Sequence, residues 1–425
     1  MKETFEVFNY LDKALVEEEM GAPYASRTPA VWPSEASAIR LDKSLWSIIG
    51  KCNRQAYMRM MGYTVTNPPE AKSAWKWIMG REIEKHLTLQ AQWAKIYVAE
   101  GVKHWIKDIM ISIEMDVVSM DPMTKRGWIL ECKTIGGYYA VKEVITAGRP
   151  KMENLIQLCI YLLEARNGKK LKEMIHKSLA DRDRMEEKKA ALAARGIEFE
   201  HRNRCFANLV KLEEMSDGPL GAQLLYVDRG DALRKAFTIE IFEDFDGSHY
   251  PMVDGIPVKE FTMESVYTRY QTLQGYWFRA RAEAARRLAK RKIKPPKFTN
   301  LVLSPQDVQD KDEAPVLTGE QRDLESAYFT QLEEEVRNLP VEFMPPCEYE
   351  WSYSPDRIEL LRQHEAIGKT KYNEYKKGKL ERLGDWQCAW CSYLHSCLKL
   401  RRPDLVYQIE DLTQVPEDAE VSFGT

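Results

Sequence analysis

Two carboxylates and a lysine are spaced so that they can meet on one face of a β-hairpin. The segment 108–120, DIMISIEMDVVSM, alternates apolar and polar residues with a period of two, which predicts a strand. The segment 128–136, WILECKTIG, predicts a second strand, and DPMTKRG between them has the composition of a turn. Because residues two apart in a strand share a face, Glu131 and Lys133 are predicted to lie beside Asp116 of the neighbouring strand.

This constellation predicts metal-dependent hydrolysis of a phosphodiester. Carboxylates are hard oxygen ligands of the kind that Mg²⁺ or Mn²⁺ binds, and such an ion polarises a phosphoryl oxygen and lowers the pKa of a bound water. Lys133 would orient or deprotonate that water and offset charge developing on phosphorus. Cys132 points to the opposite face and offers the metal at most its backbone carbonyl. The alternative is that the same charges coat a solvated strand face.

Two predicted helices supply further polar side chains. The spacing of apolar residues predicts a helix over 151–165, in which Gln157 and Tyr161 lie four residues apart on one face. A second helix is predicted over about 71–97 and carries His86 in the stretch GREIEKHL. Taken singly, a helical histidine or a Gln/Tyr pair is typical of ordinary helix surface or core. The order of all these residues along the chain adds information that no single one carries.

That order resembles the PD-(D/E)XK nuclease superfamily, and within it the RecB-like branch. The core of that branch runs helix, strand with Asp, strand with Glu-x-Lys, helix with Gln-x-x-x-Tyr, and a closing strand, which here would be AQLLYVDR at 222–229. The resemblance implies an α/β, restriction-endonuclease-like core, in which a central mixed sheet is flanked by helices. Large helical insertions and an iron–sulfur staple would be added to this core.

The resemblance also implies roles for individual residues. Asp116, Glu131 and Lys133 would be catalytic, and Gln157 and Tyr161 would face the scissile phosphate or the DNA backbone. His86 would be an additional metal ligand, beside Asp116, Glu131 and the carbonyl of Cys132. The chain departs from the branch where a glycine often precedes the aspartate, since Ile113 and Glu114 stand there. The spacing from glycine to histidine is also long, which makes Glu82 a substitute for His86.

Three of the eight cysteines fall in one short segment, CAWCSYLHSC at 388–397. Cys388, Cys391 and Cys397, together with Cys52 far upstream, resemble the iron–sulfur RecB-like nucleases, namely the CRISPR-associated four-cysteine exonucleases and the AddB nuclease domain. The resemblance implies a [4Fe–4S] cluster held by these four thiolates, which would staple the two ends of the chain together. A zinc site that uses His395 in place of Cys52 is the alternative.

DNA contacts are predicted in two places. The run RARAEAARRLAKRKIKPPK at 279–297 has nine Lys or Arg against one Glu, and a solvated helix face is the alternative to phosphate binding. The basic residues singled out are Arg286, Arg287, Lys290 and Arg291. The aromatic run 276–278 could stack on bases or pack in the core. Arg54 and Tyr57 match the Cys-x-Arg-x-x-Tyr stretch of the four-cysteine family, which implies that they line the DNA path.

The predicted organisation surrounds the nuclease core with added segments. The segments are an N-terminal extension (1–36), the core (37–245) with a helical insertion at about 166–219, a second helical insertion (246–379) with the basic run and an acidic linker (304–323), a cysteine segment (380–402) and an acidic tail (403–425). Within the core, the stripe of apolar residues over 37–62 predicts a helix. The insertions and the tail are candidate surfaces for a homo-oligomer or a protein partner.

Composition sets the remaining limits. With 44% hydrophobic and 30% charged residues, disorder throughout the chain is excluded. The 62 Lys and Arg against 65 Asp and Glu give a net charge of −3, so binding of DNA requires a local basic surface. We find neither an apolar run of about 18 residues nor an apolar signal segment, which predicts a cytoplasmic location without membrane contact.

The sequence therefore predicts a DNA exonuclease that depends on Mg²⁺ or Mn²⁺. By resemblance it would act on single-stranded or frayed ends in the 5′→3′ sense, in DNA recombination, repair or phage DNA processing. Two other classes stay open, a non-catalytic DNA-binding scaffold on the same fold and a zinc-dependent interaction module.

Overall fold

The chain divides into two units, and all of the strands among the described residues belong to one of them. The computed structural model describes residues 28–41, 48–66, 71–194, 203–308, 317–346, 391–393 and 396–397. The unit that we call the sheet unit comprises Pro29–Asn53 and Ala71–Gln274. The other, the helical unit, comprises Met1–Thr28, Arg54–Glu70 and Gly275–Thr425. The predicted Asp–Glu–Lys constellation lies wholly in the sheet unit.

The strands of the sheet unit form one large sheet and one small one. They are β1 (Ser37–Ile39), β2 (Ile48–Gly50), β3 (Tyr97–Ile106), β4 (Ile111–Met120), β5 (Gly127–Ile135), β6 (Phe206–Ala207), β7 (Gly221–Asp228), β8 (Arg234–Glu243), β9 (His249–Val253) and β10 (Ile256–Pro257). The large sheet has eight described strands in the order β10-β9-β8-β7-β5-β4-β3-β6. β5 and β7 run parallel, with Lys133 opposite Tyr226, and the other neighbours run antiparallel, so the sheet is mixed.

Helices flank this sheet. The described α-helices are α1 (Asn53–Met60), α2 (Ala71–Trp93), α3 (Tyr138–Val141), α4 (Met152–Ala165), α5 (Gly168–Ala193), α6 (Leu209–Glu214), α7 (Met263–Lys290) and α8 (Gly319–Arg337). α2 packs on β5, α4 packs on β7 and β8, and α5 packs on β3. A parallel strand pair requires a long crossover connection, and α3, α4 and α5 all lie in the chain between β5 and β7. No described helix is both long enough and apolar enough to span a membrane.

α4 is more deeply buried than α2, the other helix predicted to carry residues of the acid site. Leu155, Ile156, Leu158 and Ile160 are buried, so apolar side chains leave this helix in several directions. Each fully buried aliphatic side chain contributes on the order of 1.5–3 kcal/mol. This packing fixes the position of α4, and with it the position of Gln157.

The start of α4 is tied to the sheet by the hydroxyl of Tyr226 on β7. That hydroxyl accepts hydrogen bonds from the backbone N–H of Lys151 (3.0 Å) and from Nδ2 of Asn154 (2.9 Å). Replacing Tyr226 by phenylalanine leaves both donors unpaired, so we expect the free energy of unfolding to fall by about 1–3 kcal/mol, measured by urea denaturation. Tyr250→Phe is the control, because the Tyr250 hydroxyl makes no hydrogen bond within the described ranges, and an equal loss in both variants would contradict the prediction.

Most elements predicted near the site are confirmed. The two strands, their turn and the closing strand correspond to β4, β5, residues 121–126 and β7, and the two flanking helices correspond to α2 and α4. The predicted helix over 37–62 is wrong in its first half, because β1 and β2 pair antiparallel from Ser37 opposite Gly50. Residues 42–47 lie outside the described residues, and only α1 is helical in this stretch. The strands β3, β8 and β9 were not predicted.

Candidate active site

The site begins where the pairing of β4 and β5 stops. Their paired register runs from Met120 opposite Gly127 to Val117 opposite Leu130. At the next position, Oδ2 of Asp116 accepts a hydrogen bond of 2.9 Å from the backbone N–H of Cys132. The Asp116 side chain therefore accepts a hydrogen bond that a backbone carbonyl of β4 would accept if the two strands stayed paired. This bond fixes the Asp116 carboxylate against β5.

Glu131 is the most thoroughly enclosed acid of the site. Its Oε1 accepts hydrogen bonds from Nζ of Lys133 and from Nε2 of Gln157, the latter at 2.6 Å. Its Oε2 is buried and meets no hydrogen-bond donor among the described residues. The Asp116 carboxyl is close enough to Glu131 to form a side-chain hydrogen bond when one of the two carries a proton. A buried carboxylate oxygen without a donor is costly, so this position requires either a shared proton or a cation.

Gln157 and Tyr161 lie one helical turn apart on α4, as predicted, and both side chains are buried. Nε2 of Gln157 approaches the Tyr161 hydroxyl at 2.7 Å in addition to its bond with Glu131. These contacts orient the Glu131 carboxylate, and the contact of this pair with the scissile phosphate or the DNA backbone stays a prediction.

A third carboxylate, that of Glu84, enters the cluster from α2. Its charge is coupled to those of Asp116 and Lys133. Gly80, one turn earlier on the same face, lies so close to β5 that a Cβ placed there would stand 3.1 Å from Oγ1 of Thr134. The absence of a side chain at Gly80 permits this close approach, which brings Glu84 to the site.

The electrostatics of the cluster follow from burying several acids around one lysine. Burial, and then the charge of Asp116, raises the pKa of Glu131 to about 8, although Lys133 opposes this. Burial and the charge of Asp116 likewise raise the pKa of Glu84 to about 7. Burial raises the pKa of Asp116, against the lowering effects of Lys133 and the Cys132 N–H. Burial alone would lower the pKa of Lys133, but the charges of Glu131 and Asp116 raise it above its ordinary value.

These residues have the donor chemistry that Mg²⁺ or Mn²⁺ requires. Within the described part of the chain, no group of three or more His, Cys, Asp or Glu side chains is already arranged as a metal cage. Mg²⁺ does not need one, because it commonly binds one or two carboxylates and completes its shell with waters and substrate phosphate. The carboxylates of Asp116 and Glu131, with the donorless Oε2 of Glu131, fit such an ion, and Glu84 adds a negative charge that acts on them.

The structure does not bring His86 to this cluster. Residues two apart on a helix point to nearly opposite sides, so His86 is turned away from the side that carries Glu84. His86 is exposed and pairs with Nε2 of Gln90 at 3.1 Å. The proposed substitute Glu82 is exposed and pairs with Lys85. Glu84 is not among the residues predicted from the sequence. Its spacing of four residues after Gly80, which places both on one face of the helix, is the signal that could have indicated its role.

The difference in position between Glu84 and His86 leads to a prediction about metal binding. Glu84→Gln is expected to weaken Mn²⁺ binding by about tenfold or more, because it removes a carboxylate that faces the acid pair. Glu82→Gln and His86→Ala, changes at exposed positions of the same helix, should leave the dissociation constant within about twofold. Isothermal titration of the metal-free proteins with Mn²⁺ measures all three, and a loss confined to His86→Ala would reverse the assignment.

Two neighbours of the cluster complete its description. The thiol of Cys132 is buried, and burial raises its pKa well above the ordinary value, so the side chain is a neutral packing group. Its backbone N–H binds Asp116, while its carbonyl as a metal ligand stays a prediction. Glu114, two residues before Asp116 on β4, pairs with Lys103 on β3 at 3.3 Å and does not share the contacts of the acid pair.

Of the four predicted cluster cysteines, Cys388 lies outside the described residues. Cys391 and Cys397 belong to the helical unit, where the backbone N–H of Thr66 donates to the carbonyl of Ser392 at 2.9 Å. Sγ of Cys397 accepts from Nη1 of Arg54 at 3.5 Å. Cys52 belongs to the sheet unit. The structure therefore leaves the iron–sulfur cluster as a prediction.

The predicted DNA contacts of the helical unit have other partners. Arg54 and Tyr57 are buried, and Arg54 donates to the carbonyl of Pro345 at 2.6 Å, so neither is presented to DNA. In the basic run, Arg286 and Arg287 bind Glu283 one turn earlier, and Arg287 and Arg291 bind Glu335 of α8. Lys290 is exposed. Trp277 and Phe278 are buried in the core. Three of the four basic residues singled out in the run thus pair with acids of their own unit.

Comparison with known proteins adds nothing to this geometry. No family model, no curated protein and no solved structure matches the chain.

Proposed function

We propose that this chain is a deoxyribonuclease that hydrolyses phosphodiester bonds with the help of Mg²⁺ or Mn²⁺. The observation that carries the proposal is the enclosed Asp116–Glu131 acid pair with Lys133 in contact with Glu131. A soluble protein gains no stability from clustering buried acids, so such an arrangement favours a functional role. The family resemblance of the sequence supplies the reaction class.

The residues of the site would have distinct roles. Asp116, Glu131 and Glu84 would hold the ion. Bound there, Mg²⁺ or Mn²⁺ supplies a polarised phosphoryl oxygen and a water of lowered pKa. In the metal-free protein the charges of Glu131 and Asp116 raise the pKa of Lys133, so this ammonium is a hydrogen-bond donor there. Beside a bound ion, Lys133 would orient or deprotonate the attacking water and offset charge developing on phosphorus.

Gln157 and Tyr161 act on the substrate only through Glu131, and we assign them as positioning residues. The Gln157 amide binds one oxygen of Glu131, which leaves Oε2 as the oxygen available to a cation. The Tyr161 hydroxyl in turn contacts the same amide nitrogen. Such second contacts orient a ligating carboxylate.

The finer parts of the proposal come from the resemblance. They are exonuclease action on single-stranded or frayed ends and a 5′→3′ direction, in DNA recombination, repair or phage DNA processing. The test is digestion of 5′- and 3′-labelled DNA, linear and circular, single- and double-stranded, with Mg²⁺, with Mn²⁺ and with EDTA. Metal-dependent loss of label from linear single strands supports the proposal. No digestion of any substrate would favour a non-catalytic DNA-binding scaffold.

The predicted [4Fe–4S] cluster is tested separately, by the visible absorbance of the protein. Protein purified without oxygen should be brown, with a broad absorbance near ~400 nm, because Fe–S clusters bound by thiolates have this charge-transfer colour. Cys391→Ala should lose the colour, whereas Cys159→Ala, a buried thiol outside the predicted set, should keep it. Colourless protein with one equivalent of zinc would identify the site as the zinc alternative.

A further inference from the structure

Three large aromatic side chains are exposed on two segments of the sheet unit. Trp77 on α2 is 45% exposed, and Tyr138 and Tyr139 on α3 are 71% and 84% exposed. We call these three residues the aromatic rim. Two highly exposed tyrosines and a half-exposed tryptophan indicate a binding surface.

Arg229 connects the two segments. Its guanidinium lies where a side chain of Gly136 would stand, with Nη2 3.0 Å from the place of the missing Cβ. Nη1 of Arg229 donates to the carbonyl of Lys76 at 3.2 Å. Lys76 directly precedes Trp77, and Gly136 precedes Tyr138 by two residues. One arginine therefore bridges the segment of α2 that carries Trp77 and the end of β5 that leads to the tyrosines.

Both segments of the rim are close along the chain to residues of the acid cluster. Trp77 precedes Glu84 by seven residues, which is two turns and about 10 Å along the same face of α2. Tyr138 follows Lys133 by five residues, a distance of at most about 18 Å along the chain. A strand whose phosphate is at the cluster would have its neighbouring bases within reach of the rim.

The charge and the geometry of the two rim segments favour nucleic acid as the ligand of the rim. In the segments 73–81 and 138–151 the cations are Lys76, Arg81, Lys142, Arg149 and Lys151, against the single acid Glu143. This local excess contrasts with a net charge of −3 for the chain. The ammonium of Lys142 lies 5.6 Å from the ring centre of Tyr138, and the rings of Tyr138 and Tyr139 meet edge to face. Cations interleaved with aromatic rings are the features that bind unpaired bases and their phosphates.

We propose that the aromatic rim binds the unpaired bases of single-stranded DNA next to the acid cluster. The inference rests on the proposed nuclease function for its substrate, and it adds the residues that would select unpaired DNA. Stacking needs exposed base faces, which a duplex hides between its base pairs. The rim would therefore favour single strands over duplex, whatever the base sequence.

Binding in EDTA tests the rim separately from cleavage. The fluorescence anisotropy of a labelled oligothymidine and of a duplex of equal length is measured with the full-length wild-type protein, Trp77→Ala and Tyr139→Ala. Trp93→Ala is the matched control, because Trp93 lies on the same helix, is 72% exposed and stands 16 residues, or about 24 Å, beyond Trp77. We expect each rim variant to bind the single strand on the order of tenfold more weakly, with duplex binding and Trp93→Ala changed less than about twofold.

Three results would contradict the proposal that the rim binds single-stranded DNA. They are an equal loss of affinity for single strand and duplex in the rim variants, wild-type affinity in both rim variants, or no binding of oligothymidine by the wild-type protein. Thermal melting of each variant confirms that it is folded. If the rim variants bind normally while cleavage still requires Lys133, the rim is rejected and the nuclease stands. If binding depends on Trp77 but the wild-type protein digests no DNA with either metal, the rim stands and the nuclease is rejected.

Discussion

Replacing Lys133 by alanine is expected to slow DNA digestion by on the order of a hundred- to a thousandfold. Lys133 is the cation in direct contact with Glu131, and in the metal-free protein the charges of Glu131 and Asp116 raise its pKa. Removing a charged donor that faces developing negative charge typically has an effect of this size. The initial rate on labelled single-stranded DNA with Mn²⁺ measures it.

Lys125→Ala is the matched control for this variant. Lys125 lies in the turn of the same hairpin and pairs with Glu214 at 3.0 Å, at the surface and away from the acid pair. Its loss should leave the rate within about twofold. Equal digestion by Lys133→Ala and wild type would reject the catalytic assignment, and equal losses in both lysine variants would indicate a general effect on the fold.

The stability of the metal-free protein is expected to fall as pH rises from about 5 to about 8. In the folded protein the pKa of Glu131 is raised to about 8 and that of Glu84 to about 7, whereas both carboxyls ionise near 4.5 in the unfolded chain. Between these values the folded state binds more protons than the unfolded state, so the free energy of unfolding decreases with pH. At about 1.4 kcal/mol per pKa unit, the decrease should be on the order of several kcal/mol.

Urea denaturation in EDTA at pH 5, 6, 7 and 8 measures this dependence. Glu131→Gln should flatten it and should be more stable than wild type at pH 8, because the buried carboxylate has been replaced by a neutral amide of the same shape. Glu214→Gln, a change at a surface acid whose pKa is lowered by hydrogen bonds from Lys125 and Lys211, should not flatten it. A stability that rises with pH in wild type would contradict the account of the cluster.

The parts of the site that sequence predicted correctly depend on local geometry. Asp116, Glu131 and Lys133 were placed together because strand residues alternate in direction and a short turn forces β4 and β5 to pair. Gln157 and Tyr161 were placed on one face because a helix repeats every 3.6 residues. Both placements depend only on the geometry of segments that are neighbours along the chain.

The parts that failed depend on contacts between distant segments. The charge of Glu84 on α2 acts on the acid pair because Gly80 docks α2 against Thr134, a contact between segments that are distant in sequence. Arg287 and Arg291 of the basic run pair with Glu335, which is 44 residues from Arg291.

The prediction for the short strands β1 and β2 was wrong for a similar reason. β1 and β2 gain their hydrogen bonds from each other, so the apolar stripe over 37–62 does not indicate a continuous helix. Gly50 is held at φ +91°, with the carbonyl of Ala36 where its side chain would be, and this backbone excludes a continuous helix there. Tertiary pairing outweighs intrinsic helix propensity in such cases.

The most direct test of the central claim is an anomalous difference map from a crystal of the full-length protein soaked in Mn²⁺. The account predicts a peak within ordinary ligand distance, about 2–2.5 Å, of carboxylate oxygens of Asp116 and Glu131, with Glu84 facing it. The peak should vanish in crystals of Asp116→Asn. A fully soaked wild-type crystal without density between these carboxylates, or with Mn²⁺ bound only elsewhere, would contradict the proposal that this acid pair is a metal-dependent active site.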